Sequence, residues 1–202
     1  MDKSLITIEN IKKVYSNKNY RFYDTTKDYN INIFGIRNDN LDVDNLFDDN
    51  IGILYGLNGK EILFIADSTT LAGKYFMEHP MNPKGTASII PNQYVKSHKI
   101  GLHLGKYNAL VQCGILKICR DNNKDLIYDI DPSKAIVSQY DGINIHHAGI
   151  MSMSIDNWSA ACQVLSKMKD WNEFIRIVEK SAKLYGNLFT YTLLEEKDFK
   201  QL

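Results

Sequence analysis

The dipeptide Asn58-Gly59, set between the apolar runs Ile51-Gly52-Ile53-Leu54-Tyr55 and Glu61-Ile62-Leu63-Phe64-Ile65, constrains this chain more than any other feature. A two-residue hairpin turn asks both central residues for positive φ, which Asn and Gly tolerate and most other residues do not. The pattern therefore predicts two antiparallel strands joined by a tight turn. Strand signals surround them over residues 29–68, where Asn30-Ile31-Asn32-Ile33 alternates and runs into Phe34-Gly35-Ile36. Further strands are expected at 86–90, at 109–120 with a break at Gly114, at 142–147 and at 188–194, with loops marked by Pro80, Pro83 and Pro91.

One segment departs from this β pattern. Trp171, Phe174, Ile175, Val178, Ala182 and Tyr185 recur at helical spacing, Asp170 with Glu173 fits a capping box, and Gly186 falls where a C-terminal cap belongs. The first thirty residues are polar, with a short helical pattern at Ile8, Ile11, Val14 and Tyr15. The expected organisation is an N-terminal arm or short helix over 1–28 and one β-rich domain over 29–202. In class it is mainly β (α+β), closing on an amphipathic helix and a final strand.

The chain has 202 residues, enough for one domain with a substantial core. Lys plus Arg and Asp plus Glu are 24 each, so no net field draws it to nucleic acid, an anionic membrane or wall polymers. No apolar run is long enough for a membrane span, and Met1-Asp2-Lys3-Ser4-Leu5-Ile6-Thr7 lacks the features of a secretory leader. The expectation is cytoplasmic synthesis without a signal peptide. Cys113, Cys119 and Cys162 form no even set and no C-x-x-C motif, so no disulfide framework is expected, and Cys113 and Cys119 read as core residues.

Chemistry concentrates at His146 and Cys162, sixteen residues apart. An imidazole that reaches a thiol takes its proton near neutral pH, and the thiolate attacks carbonyl carbon far better than the thiol. An activated cysteine is expected to react well below the pKa of about 8.5 of a free thiol. On a strand, Ile143, Ile145 and His147 share one face and Asn144 and His146 the other, which puts His146 on the polar face. The same divergence of adjacent histidines argues against a zinc site.

The stretch around these two residues resembles the L,D-transpeptidase catalytic domain, the YkuD family, whose signature is Ile-His-Gly followed by a loop and Ser-x-Gly-Cys. Ile145-His146 and Ser159-Ala160-Ala161-Cys162 fall at the family's spacing, and the direct resemblance covers about residues 143–165. It implies a β-sandwich or barrel that attacks peptidoglycan stem peptides through a thioester. Cys162 looks like the nucleophile and His146 like the general base. The backbone carbonyl of His147 looks like the group that orients the imidazole, and the amides of Ala161 and Cys162 look like oxyanion donors. The chain departs from the family at His147 and Ala161, which stand for glycines, and at Val164, which stands for an arginine beside Gln163. Asn187-Leu188-Phe189-Thr190-Tyr191-Thr192-Leu193-Leu194-Glu195-Glu196 and Met81-Asn82-Pro83-Lys84-Gly85-Thr86 look like a divergent branch found in bacteriophages and gut bacteria.

Other residues are weighed beside this pair. His103, bracketed by Gly101 and Gly105, reads as a substrate or supporting group, or else as a histidine at a strand edge. Trp158 either walls the acyl site or anchors the core, and Ser159 and Gln163 complete the candidate substrate contacts. Asp121, Asn123, Asp125 and Asp129 have the spacing of a short calcium loop, although Leu126 stands where Gly is wanted and Pro132 where a bidentate Glu is wanted. A polar turn explains the same residues. Any calcium is expected to be structural, and no other cofactor is expected.

The function expected is cysteine-dependent acyl transfer on peptidoglycan peptides, as a lysin-like endopeptidase or carboxypeptidase rather than a cross-linking enzyme. The protein would then be phage-encoded and released to the wall or carried in the virion. The alternative is a virion structural or adhesion protein that keeps the fold without the chemistry; an effector aimed at a rival's wall is a third reading.

Overall fold

A computed structural model describes residues 2–139 and 141–202. The N-terminal segment carries a short helix that packs on the body. Helix α1 (Ile8–Asn17) is capped by the Thr7 side chain, which accepts from Asn10 N, and buries Ile11, Val14 and Tyr15. Residues 20–28 then follow the body as irregular chain, pinned at Tyr23 N by the Asn32 side chain at 2.7 Å.

Strands β1 (Ile31–Arg37), β2 (Asp49–Leu57) and β3 (Lys60–Thr69) form a meander. The turn between β2 and β3 takes φ of 50° at Asn58 and 73° at Gly59, as the sequence predicts. After the short helix α2 (Lys74–Glu78) come β4 (Thr86–Ile89), β5 (Asn92–His103), β6 (Tyr107–Gln112), β7 (Leu116–Asp121), β8 (Ile136–Ser138), β9 (Ile145–His147) and β10 (Gln163–Leu165). Helix α3 (Met168–Tyr185), strand β11 (Phe189–Glu195) and helix α4 (Glu196–Lys200) complete the chain.

Eight strands close into a barrel in the order β1-β11-β5-β6-β9-β10-β3-β2, and β4-β7-β8 form a separate three-stranded sheet. Two barrel pairs are parallel, β1 with β11 and β9 with β10. The fold is thus mainly β with few helices. No helix among the described residues is long and apolar enough to cross a membrane.

Strand alternation divides the core in two. Ile31, Ile33, Ile51, Ile53, Tyr191 and Leu193 face one apolar cluster, which α3 completes with Trp171, Phe174, Ile177 and Val178. Phe34, Ile36, Leu54 and Leu194 face the opposite way and are covered by α1 and by Phe199 of α4. With both faces covered, β1 is buried throughout, so it reads as a nearly continuous apolar run.

Two expectations are corrected. Helix α3 begins at Met168 after Lys167, which makes no side-chain cap, so Asp170 lies inside the first turn and Asp170 with Glu173 is not a capping box. A capping box does form at α4, between Glu195 and Asp198. Cys113 is exposed in the turn between β6 and β7, because Gly114 breaks the strand there; Cys119 is buried.

Candidate active site

The parallel ladder of β9 and β10 builds the site. Gln163 pairs with Ile145 and Val164 with His146, so Cys162, just before β10, lies level with Asn144, just before β9. Asn144 donates its backbone N–H to the Cys162 sulfur at 3.4 Å, and Gln163 N donates to the Asn144 carbonyl at 2.8 Å. Asn144 and His146 share a face by alternation, while the thiol donates to the Gly142 carbonyl at 3.7 Å and makes no hydrogen bond to His146.

His146 is 2% exposed, so the polar face on which the sequence puts it is covered. Its Nδ1 lies 2.8 Å from the His147 carbonyl and 3.2 Å from the Tyr107 hydroxyl. A carbonyl only accepts, so Nδ1 carries the proton and Nε2 presents a lone pair. That Nε2 is buried and meets no hydrogen-bond partner. Burial, and then the charge that His103 would carry, push its pKa down to about 3. His146 is held neutral.

Cys162 is half-buried, and loss of solvation pushes its thiol up to about 11, with the Asn144 amide acting in the opposite direction. The expectation of a resting thiol activated below the ordinary value is therefore corrected. With the imidazole pushed down and the thiol pushed up, neither group is charged at neutral pH. The backbone N–H groups of Ala161 and Cys162 have no acceptor among the described residues. Ala161 is outside the left-handed region, so it carries none of the strain a glycine there would relieve; the positive φ in this loop falls at Asp156.

His103 ends β5 and faces the pair from the hairpin opposite. Its ring stacks on His146 with centroids 4.0 Å apart and an interplanar angle of 24°. Its Nδ1 lies 3.0 Å from Asn144 Nδ2. Tyr107, paired with His103 across the hairpin, places its ring 4.4 Å from that of His147, and its hydroxyl is pushed up to about 12, by burial and then by Cys162. Sequence reasoning missed Tyr107 and Asn144 as site residues. The glycines around His103 mark a hairpin tip, and pairing across that tip was the signal for Tyr107.

Ser159 and Gln163 are corrected as substrate contacts, since both are fully buried and their polar atoms are used inside the protein. The Ser159 hydroxyl donates to the Cys162 carbonyl at 2.7 Å. Gln163 accepts from the Tyr191 hydroxyl at 2.7 Å and donates to the carbonyls of Ala161 and Thr70. They position Cys162 without facing a ligand. Trp158 is 40% exposed, at the surface beside Gly149. Val164 is fully buried opposite His146, so the position of the family's arginine belongs here to the core.

The loop that carries Asp121, Asn123, Asp125 and Asp129 lies apart from this cluster. The Asp121 carboxylate accepts from the backbone of Asn123 and Asp129, while Asn123 Nδ2 sits 3.0 Å from both Asp125 and Asp129. An amide donor thus occupies the place where the calcium expectation puts a cation, and hydrogen bonds within the loop account for its shape. Leu126 nevertheless takes a φ of 63°, in the region where such loops use glycine. Among the described residues no three His, Cys, Asp or Glu side chains converge as a metal site.

Two cavities lie away from the cluster. One of ≈ 780 Å³ runs between α1 and the β2–β3 turn past Lys12, Phe22 and Glu61, and one of ≈ 490 Å³ lies beside Cys119 and Tyr128. Neither adjoins Cys162. Compared with protein-family models, curated proteins and solved structures, the chain matches none of them.

Proposed function

We propose that this protein is a cysteine-dependent acyl-transfer enzyme of the L,D-transpeptidase kind. Its substrates would be peptidoglycan stem peptides, with water favoured over an amine as acceptor. The observation that carries the reading is the free, buried lone pair of His146 Nε2, on the ladder strand paired with the one that follows Cys162. His146 deprotonates Cys162 as the sulfur attacks an amide carbonyl, the amides of Ala161 and Cys162 hold the oxyanion, and the imidazolium returns the proton to the leaving amine. Water then resolves the thioester. The reading fits a phage-encoded enzyme that meets the wall on release or from the virion.

Incubation with purified sacculi from several wall chemotypes, followed by mass analysis of released muropeptides, tests this directly. New fragments are expected with the parent protein and none with Cys162→Ala, whose thermal unfolding should match the parent. Release that survives Cys162→Ala overturns the proposal.

A second reading is favoured by a different observation. The raised thiol pKa and the absence of either large cavity from the cluster suit a virion structural or adhesion protein that keeps the fold without the chemistry. Under that reading sacculi are bound and left intact.

A further inference from the structure

We infer that His103 is a catalytic hydrogen-bond donor: a neutral imidazole whose Nε2–H holds the carbonyl oxygen of the acyl group attacked by Cys162. The inference rests on the acyl-transfer reading and adds to it a side-chain donor from the hairpin opposite the two backbone amides.

The orientation of one amide fixes the His103 tautomer. Asn144 Oδ1 accepts from Gln112 N at 2.9 Å, a bond that only an oxygen makes, so the nitrogen of the same amide is the atom facing His103. Asn144 Nδ2 then donates to His103 Nδ1 at 3.0 Å. A nitrogen that accepts carries no proton, and the ring hydrogen of His103 is left on Nε2. No group among the described residues engages that Nε2. The stacked rings therefore hold complementary tautomers, His146 with a free acceptor and His103 with a free donor.

Asn144 also fixes where the donor sits. Its side chain holds His103 while its backbone N–H touches the Cys162 sulfur, so one residue ties the donor ring and the nucleophile to a common anchor. The stack favours a neutral His103 too. When His146 accepts the thiol proton, a second cation 4.0 Å away would oppose the transfer, whereas a neutral ring does not.

The proton and electron count closes without a net change at His103. The thiol proton moves to His146 Nε2, the S–C bond forms, and the carbonyl π pair moves to an oxygen held by His103 Nε2–H and the amides of Ala161 and Cys162. On collapse the C–N bond breaks, its electron pair leaves with nitrogen, and His146 returns the proton to that nitrogen. His103 keeps its proton throughout.

Two reagents that use the same sulfur separate this role from a structural one. Acylation by p-nitrophenyl acetate passes through an oxyanion, whereas alkylation by iodoacetamide needs the thiolate but builds none. His103→Phe is expected to slow acylation of Cys162 by about a hundredfold, the lower end of the range for loss of one oxyanion donor, while alkylation stays within about twofold. His103→Gln, which keeps a donor, should recover part of the lost acylation rate. Equal losses in both reactions, or unchanged acylation in His103→Phe, overturn the role of His103 and leave the acyl-transfer reading standing. A parent Cys162 acylated no faster than in the urea-unfolded chain overturns both together.

Discussion

The hydroxyl of Ser159 donates to the carbonyl of Cys162 at 2.7 Å, with Ser159 fully buried. This bond closes the turn that leads into β10 and sets the height of the sulfur against Asn144. Ser159→Ala should leave the carbonyl without its protein donor and lower unfolding free energy by roughly 1 to 3 kcal/mol, as measured by urea denaturation. Sulfur placement should suffer as well, so Cys162 acylation should fall in the variant even where it is fully folded. A variant with parental stability and acylation would show that the bond sets neither.

Alkylation of Cys162 gives the next test. With the thiol pushed up to about 11 by loss of solvation, the iodoacetamide rate should still be rising with pH beyond 9, where an ordinary thiol has levelled off. Exposed Cys113 also reacts, so the measurement is made on Cys113→Ser and read by peptide mass at Cys162. A plateau below pH 8 would mean a preformed thiolate and a different division of labour with His146.

The site's footing lies in a buried polar network. Arg37 is 2% exposed, and its guanidinium donates to the Thr70 hydroxyl, the Thr70 carbonyl and the Ile89 carbonyl at 2.9 to 3.0 Å. Asp49, also buried, accepts from Asn38 N, Thr70 N and the Thr70 hydroxyl. The Thr70 carbonyl also takes Gln163 Nε2, which joins this network to the strand after Cys162. Arg37→Met fills the volume but leaves Asp49 without its compensating charge, and should cost about 3 to 5 kcal/mol. A urea midpoint within experimental error of the parent would mean that Asp49 is neutral in the folded protein.

What the sequence reveals follows from how long each pattern runs. Helix α3 is legible because its apolar face repeats without interruption from Trp171 to Tyr185, and the β2–β3 hairpin because Asn58-Gly59 tolerates few other geometries. Strand β5 is not legible. Lys96 takes a φ of 53° and the register against β11 shifts between Tyr191 and Phe189, so the inside and outside positions lose their phase midway. Strands β8 and β10 are three residues each, too short to show a period. Local pattern gave no sign that β9, which carries His146, pairs with the strand that follows Cys162, because a parallel pair is joined by a long crossover. The exposure of Ser159 and Gln163 was misread for a related reason. Polar residues beside a nucleophile suggest substrate contacts, but the turn into a buried parallel strand needs its own donors and acceptors, and these two supply them.

Acid stability follows from two buried histidines. Burial pushes His98 down to about 4, against the opposing pull of its bond to the Ile143 carbonyl, and His146 down to about 3. The unfolded chain titrates each near 6.5. Below that pH the unfolded state binds protons that the folded state refuses, so the contribution of both groups is complete above about pH 6.5 and is lost as the pH falls toward 4 and 3. Asp48, pushed up to about 7 by burial and then by Asp49 and Asp44, works in the opposite sense: the folded state holds its proton between the ordinary carboxylate range and pH 7, which favours folding as the pH drops. The contrast between parent and variant isolates the histidine. His146→Gln removes one titrating ring, and the stability difference between variant and parent measured at pH 8 should shift in the variant's favour by roughly 2 kcal/mol at pH 5, the energy of 1.5 pH units. The same difference at both pH values would mean that His146 is protonated in the folded protein at pH 5, and with that its role as a neutral base would fall.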